Sequence, residues 1–85
     1  MRVILHRLAD KRLERIHDPD KRRINRALDG LEENPPVGDI RPVVGQKGLF
    51  RLKVGDYRIL FHKDFADIIF VTQIKSRGEV YKNRR

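Results

Sequence analysis

Six side chains in the C-terminal half of this chain are of types that can act on a phosphodiester. Cleavage of RNA requires that the 2′-hydroxyl lose a proton, that the pentavalent phosphate be stabilised, and that the leaving 5′-oxygen be protonated. The planar fork of arginine matches two phosphate oxygens, while lysine supplies a point charge, or a base where neighbouring cations lower its pKa. Tyrosine can stack on a base or transfer a proton. These side chains are Arg51, Lys53, Arg58, Lys75, Arg77 and Tyr81, and the scheme needs no metal and no cofactor.

Strand periodicity places the first three of these cations on one face. The segment Leu49–Val54 alternates from its second residue on, so Arg51 and Lys53 leave the strand on the side opposite its apolar residues. The glycine and aspartate at positions 55–56 are typical of a two-residue hairpin turn, which would pair Val54 with Tyr57 and Lys53 with Arg58. We therefore expect Arg58 on the same face as Arg51 and Lys53.

Each cation also has an ordinary explanation. A sheet that packs one face against helices exposes polar residues on the other face, so a single lysine or arginine there indicates nothing. The functional reading depends on their clustering in one segment of a basic protein. The histidines are weaker candidates, because His6 and His17 fall among the supporting elements and only His62 ends near the expected face. Their spacing is not that of zinc ligands.

The overall charge favours a polyanionic partner. Twenty Lys and Arg residues against twelve Asp and Glu residues give a formal net charge of +8. Nucleic acid, an acidic membrane surface or an acidic protein would each be attracted. The basic C-terminal segment lacks the long apolar stripe of a membrane-binding helix, which makes the membrane the least favoured partner. Without cysteines or an apolar segment of spanning length, the 85 residues are expected to be one cytoplasmic domain, residues 1–85.

The N-terminal half is expected to support the sheet. Arg2–His6 reads as a strand, and Leu8–Ile16 then recurs at helical spacing, with Leu8, Ala9, Leu13 and Ile16 as its apolar stripe. Asp18 followed by Pro19 predicts an N-cap and the first residue of a second helix that ends near Glu33, before Asn34-Pro35-Pro36. The short link between the helices predicts an antiparallel hairpin. Pro35–Gly48 is interpreted as a loop.

Three strands are predicted to follow that loop. They are Leu49–Val54, Tyr57–His62 and Ile68–Ile74, of which the last is apolar enough to be central or well covered. The segment Ser76–Tyr81 is expected to leave the sheet. The order β-α-α-β-β-β predicts an α+β fold with a helical hairpin packed on one face of a small, mainly antiparallel sheet.

Two stretches of the sequence resemble the RelE/ParE toxin superfamily. The first is FRLKVGDYRILF, from Phe50, and the second is KSRGEVY, from Lys75 to Tyr81. Their shared features are a basic–apolar–basic strand, a G-x-Y-R turn and a basic stretch that ends in E-V-Y. The preceding strand and helical hairpin match the family layout too, so the resemblance covers nearly the whole chain. It carries the implication of a type II toxin neutralised by a cognate antitoxin, through an acidic or amphipathic segment that covers the cationic face.

The RelE-like branch implies a ribosome-dependent mRNA endonuclease that cleaves by 2′-hydroxyl attack in the ribosomal A site. Under that resemblance, Arg51 and Lys53 bind phosphate or serve as base, and Arg58 stabilises the transition state. Tyr81 stacks on the RNA base. Lys75 stands where an arginine is frequent in RelE-like toxins, so either Lys75 or Arg77 would donate the proton. The ParE-like branch poisons DNA gyrase and usually lacks this catalytic set, so Tyr81 and the strand cations favour the RelE branch. A relative that only binds antitoxin or RNA is the third alternative.

Overall fold

Two hydrophobic periodicities, one helical and one of the strand type, give this protein its two layers. The computed structural model describes residues 1–64 and 67–78. In that part of the chain, two helices pack on one face of a five-stranded sheet. The elements in chain order are β1 (Arg2–Leu5), α1 (Arg7–Glu14), α2 (Asp20–Leu31), β2 (Asp39–Pro42), β3 (Leu49–Val54), β4 (Tyr57–Lys63) and β5 (Ile68–Ser76).

The sheet has the strand order β1-β5-β4-β3-β2. Strand β1 runs parallel to β5, and the other three pairings are antiparallel. The predicted α+β architecture is therefore confirmed, and β5 is an interior strand with a partner on each side. The expected hairpin register is also confirmed, because Val54 lies opposite Tyr57 and Lys53 lies opposite Arg58.

Strand β2 is the main departure from the predicted topology. It lies inside the segment Pro35–Gly48, which the sequence led us to interpret as a loop. Its residues pair with β3 at the edge of the sheet, and Ile40 packs against the core while its neighbours Asp39 and Arg41 are exposed. Strand β2 has only four residues and ends in a proline. Because the surrounding segment is rich in turn-forming residues, this short alternation was not recognised as a strand.

The helices differ from the prediction at their ends. Asp18 is not the N-cap of α2; Pro19 takes that position, and Asp18 instead lies 3.6 Å from the Arg22 guanidinium as an i, i+4 ion pair. Leu8 is not part of the apolar stripe of α1, because 62% of it is exposed. The first turn of α1 begins at the edge of the sheet, where His6 caps it by accepting a hydrogen bond from the Leu8 amide. No helix among the described residues is long and apolar enough to cross a membrane.

One hydrophobic cluster lies between the helices and the sheet. Ala9 and Leu13 enter it from α1, and the fully buried Ile24 and Leu31 enter it from α2. The sheet contributes Leu52, Ile59, Phe61, Ile69, Val71 and Ile74. Since both helices cover the same face, the opposite face of the sheet has no covering layer among the described residues. We call this opposite side the open face.

Candidate functional site

Three cations lie directly opposite one another on the open face. Lys53 on β3 pairs with Arg58 on β4, and Arg58 pairs with Lys75 on β5. Neighbouring strands lie about 4.8 Å apart, so the three Cα atoms span about 10 Å across the sheet. We call Lys53, Arg58 and Lys75 the cationic row. The structure therefore brings together three of the six predicted site residues, one from each of three adjacent strands.

A β-bulge in β5 is what puts Lys75 on the open face. Leu60 lies opposite Gln73 and the next residue, Phe61, lies opposite Val71, so Thr72 is an extra residue on β5. Its hydroxyl donates a hydrogen bond to the Leu60 carbonyl, 3.3 Å away. The extra residue shifts the alternation by one position, since side chains on a strand change face at every residue. Without it, Lys75 would share a face with the buried Val71 and would point toward the helices.

The cationic row costs the fold some stability. Like charges on directly opposite strand positions are unfavourable, by roughly the 0.2–1 kcal/mol that an opposite-charge pair would contribute. A solvated surface with no function is free to avoid such pairs by mixing charges of both signs. The row instead holds two consecutive like-charge pairs, and such an arrangement is compensated when an anion binds over it.

The Arg58 side chain is held against the hairpin turn. Its Nη1 atom donates to the Gly55 carbonyl at 2.9 Å and to the Tyr57 carbonyl at 3.0 Å. These bonds fix the guanidinium at the turn end of the open face. A positioned guanidinium can bind phosphate without first losing its rotational freedom.

Arg51 lies one step along the sheet from the cationic row, opposite Leu60 on β4 and Arg41 on β2. Its side chain is 27% exposed, and its Nη1 lies 4.0 Å from an Asp39 carboxylate oxygen. The same oxygen is 3.8 Å from Nε of Arg41. Asp39 itself lies opposite Lys53. The β2 edge of the open face therefore carries one carboxylate among three cations.

Asp39 and Arg41 are the residues that sequence reasoning missed. They flank the half-buried Ile40, and this polar–apolar–polar alternation was the available signal. It was too short to stand out inside a segment rich in proline and glycine. Their place beside Arg51 follows only from the pairing of β2 with β3.

The last two predicted site residues are Arg77 and Tyr81. Arg77 is exposed just beyond β5, and its backbone amide donates to the Asp56 carbonyl, which ties the end of β5 to the β3–β4 turn. Lys75 lies within β5 and not in a turn, so Lys75, not Arg77, faces Arg58. Tyr81 lies outside the described residues.

The histidines fill supporting roles. His6 caps α1, and Nδ1 of His62 lies 3.1 Å from the Gly48 carbonyl, four residues along β4 from Arg58. Among residues 1–64 and 67–78, no group of three or more His, Asp or Glu side chains is placed to hold a metal ion. The charged side chains of the cationic row on the open face are lysine and arginine.

Solved structures of several toxins share this fold. The chain is 29% identical to a chain of the archaeal RelE–RelB complex from Pyrococcus horikoshii OT3, with a TM-score of 0.75 over 91% of this chain and 94% of that one. It is 19% identical to a chain of the RelB–RelE antitoxin–toxin complex from Methanococcus jannaschii, with a TM-score of 0.79 over 96% and 99%. The isolated RelE toxin of E. coli is 17% identical, with a TM-score of 0.74 over 95% and 90%.

Sequence comparison agrees with the likeness in fold. No curated protein sequence matches the chain. The family model described as the ParE toxin of the type II toxin–antitoxin system parDE, however, matches residues 3–81, which is nearly the full length. The chain therefore belongs to the ParE toxin family of type II toxin–antitoxin systems, within the RelE/ParE superfamily.

Proposed function

We propose that this toxin is a RelE-like, ribosome-dependent mRNA endonuclease that cleaves by attack of the 2′-hydroxyl on the adjacent phosphodiester. The observation that carries the proposal is the cationic row: Lys53, Arg58 and Lys75 lie directly opposite one another on three strands. Cations held together on one surface stabilise the negative charge that a phosphate develops during this reaction.

Each cation has a distinct task in this mechanism. Arg58, fixed at the turn by its two backbone hydrogen bonds, stabilises the charge that grows on the phosphate. Lys53 and Arg51 bind the phosphate from the β3 side, and Lys53 is our proposed acceptor of the 2′-hydroxyl proton. The bond from phosphorus to the 5′-oxygen breaks as the 2′-oxygen attacks, which leaves a 2′,3′-cyclic phosphate.

Lys75 is our proposed donor of the proton to the leaving 5′-oxygen. It shares the row with Arg58, whereas Arg77 lies beyond the end of β5. An ammonium can give up a proton, while a guanidinium effectively remains charged. Tyr81 would stack on the base next to the scissile phosphate. This role for Tyr81 rests on the sequence resemblance.

A cognate antitoxin is proposed as the protein partner. Two of the structural relatives are RelE–RelB complexes. The open face also suits a peptide that is acidic and amphipathic, because it carries the half-buried Leu60 opposite Arg51 and the 38%-exposed Phe70 farther along β5. Co-purification with the product of a short acidic reading frame beside this gene, and loss of toxicity on their co-expression, would support this partner.

The decisive experiment maps cleavage in translated mRNA. We expect tightly controlled expression to produce 5′ ends phased with codons, and Arg58→Ala to lower the cleavage rate by about 10²–10³-fold. Lys75→Gln should lower it by about 10²–10⁴-fold, as for a lost general acid. Tyr81→Ala tests the stacking residue, because it removes the aromatic ring. Arg26→Ala is the matched control, since it removes one exposed cation from α2, on the other side of the molecule.

The ParE-like alternative is inhibition of DNA gyrase, and the family match to ParE toxins favours it. Its signature would be intact mRNA, induced DNA damage and inhibition of supercoiling by purified gyrase. Those three results together would refute the nuclease. Intact mRNA, unaffected gyrase and retained antitoxin binding would instead indicate a relative that only binds.

A further inference from the structure

We infer that Asp39 is a positioning residue of the cationic face: it orients Arg51 and occupies the place of a phosphate until RNA binds. This inference rests on the proposed function, because it concerns the same site. Asp39 is not among the site residues predicted from the sequence, because it lies in β2, which was interpreted as part of a loop. Its position in the sheet is what gives it a role.

The carboxylate of Asp39 lies at the meeting point of three cations. One oxygen, Oδ1, is 3.8 Å from Arg41 Nε and 4.0 Å from Arg51 Nη1, and the residue lies opposite Lys53 in the β2–β3 register. Arg41 and Arg51 are themselves directly opposite each other. A negative charge between Arg41 and Arg51 offsets the repulsion between them. Among the described residues, the Asp39 carboxylate supplies that charge.

Arg51 depends on this carboxylate more than its neighbours do. Its side chain is 27% exposed, compared with 72% for Arg41. Its Nη1 atom is buried and has no hydrogen-bond partner. Because Nη1 lies 4.0 Å from Asp39, the carboxylate attracts the guanidinium without satisfying that donor. The carboxylate therefore orients Arg51 by charge attraction, and the buried Nη1 would gain a hydrogen-bond partner only if an anion replaced Asp39 beside it.

The contacts of Asp39 are loose enough to exchange. Both exceed hydrogen-bond length, and the Asp39 side chain is 49% exposed. Exposed ion pairs of this kind are weak and reversible. A phosphate can therefore displace the carboxylate from the arginines, which also means that the carboxylate competes with RNA for them.

These two roles predict opposite effects on binding and turnover. In Asp39→Asn the competing charge is gone, and removing a unit charge about 7 Å from a phosphate strengthens binding about 3-fold even at the dielectric constant of water. The guanidinium of Arg51 also loses the attraction that orients it, and misplacement of a reacting group slows the reaction by about 10–100-fold. We thus expect KM and kcat to fall together.

The experiment uses the full chain and two assays. Binding of a fluorescein-labelled single-stranded RNA is measured at fixed salt by anisotropy, and cleavage of mRNA is measured on translating ribosomes. Asp39→Asn should bind the RNA about 3-fold more tightly and cleave at least about 10-fold more slowly, and Asp39→Glu should recover most of the rate. Asp29→Asn, the same charge change on an exposed position of α2, should leave both values within about 2-fold of the wild type.

The possible results distinguish failure of the positioning role of Asp39 from failure of the proposed function. Weaker binding together with slower cleavage in Asp39→Asn would reveal general structural damage and overturn the inference, as would values equal to those of Asp29→Asn. An unchanged urea midpoint in Asp39→Asn shows that the fold is intact. If the wild type cleaves and Asp39→Asn cleaves equally well, the inference alone fails. If the wild type cleaves nothing, the proposed function and the positioning role both fail, while the RNA-affinity comparison still decides whether Asp39 competes with phosphate.

Discussion

Reversing the charge of Lys75 should stabilise this protein while it abolishes cleavage. In Lys75→Glu, the like-charge pair with Arg58 becomes an opposite-charge pair on the same two strands. The substitution keeps a flexible polar side chain at a half-buried position that is not part of the hydrophobic core. Its effect on the free energy of unfolding should therefore be mainly electrostatic.

The magnitude follows from the cross-strand geometry. Two unit charges about 6 Å apart interact by about 0.7 kcal/mol at the dielectric constant of water, so changing the sign of one of them shifts the energy by about 1.4 kcal/mol. Flexible side chains reduce this, and the hydrogen bonds of Arg58 to Gly55 and Tyr57 hold its charge toward the turn. We expect a gain of about 1 kcal/mol, which corresponds to a rise in Tm of about 4–8 °C for a domain of this size.

The assay is thermal and urea unfolding at low salt and again in 1 M NaCl. The gain should nearly vanish in 1 M NaCl, where the Debye length is only about 3 Å. Arg26→Glu on α2 is the control for net charge, and Arg58→Ala combined with Lys75→Glu completes a double-mutant cycle. A Lys75→Glu protein that is less stable than the wild type, or stabilised no more than Arg26→Glu, would refute the claim that the row is electrostatically strained.

Three further predictions concern other parts of the molecule. A Cβ at Gly30 would stand 2.8 Å from the Val37 carbonyl oxygen, so Gly30→Ala should lose about 1–2 kcal/mol in urea unfolding, with overpacking outweighing the gain in helix propensity. Leu8 is 62% exposed, so Leu8→Ser should change the unfolding free energy by less than about 0.5 kcal/mol; a loss above 2 kcal/mol would place Leu8 in the core. Lys53→Gln should lower the slope of log affinity against log salt for single-stranded RNA by about 0.7, and an unchanged slope would mean that Lys53 contacts no phosphate.

Local patterns predicted the elements whose partners are close in sequence. The β3–β4 hairpin is the clearest case. The alternation around Leu52 determines which face of the sheet each side chain occupies, and the short turn before Tyr57 determines which residues pair. Helix α2 was similarly predictable, because prolines mark both its ends, and its Ile24, Leu28 and Leu31 are all buried. In each case the residues that specify the element also make its main contacts.

Features that depend on a distant strand were not predictable in this way. Strand β2 exists because β3 offers a free edge, and Asp39 gains its arginine neighbours only through that pairing. The bulge at Thr72 is shared between β4 and β5, so the facing of Lys75 could not be read from β5 alone. The prediction that Asp18 caps α2 was wrong for a more local reason. Asp18 can interact either with the helix amides or with Arg22, and in the structure it pairs with Arg22.

The parallel pairing of β1 with β5 joins the first strand of the sheet, in chain order, to the last. The sheet can therefore be completed only late in synthesis. Residues 2–5 are made before every other strand and helix of this domain, yet their partners, residues 68–71, are among the last described residues to be made. Contacts so distant in sequence form slowly and late. Ile69 and Val71, which are part of the buried core, lie on the same strand as Lys75, the partner of Arg58. A nascent chain that has not yet made β5 therefore carries neither a closed core nor a complete cationic row.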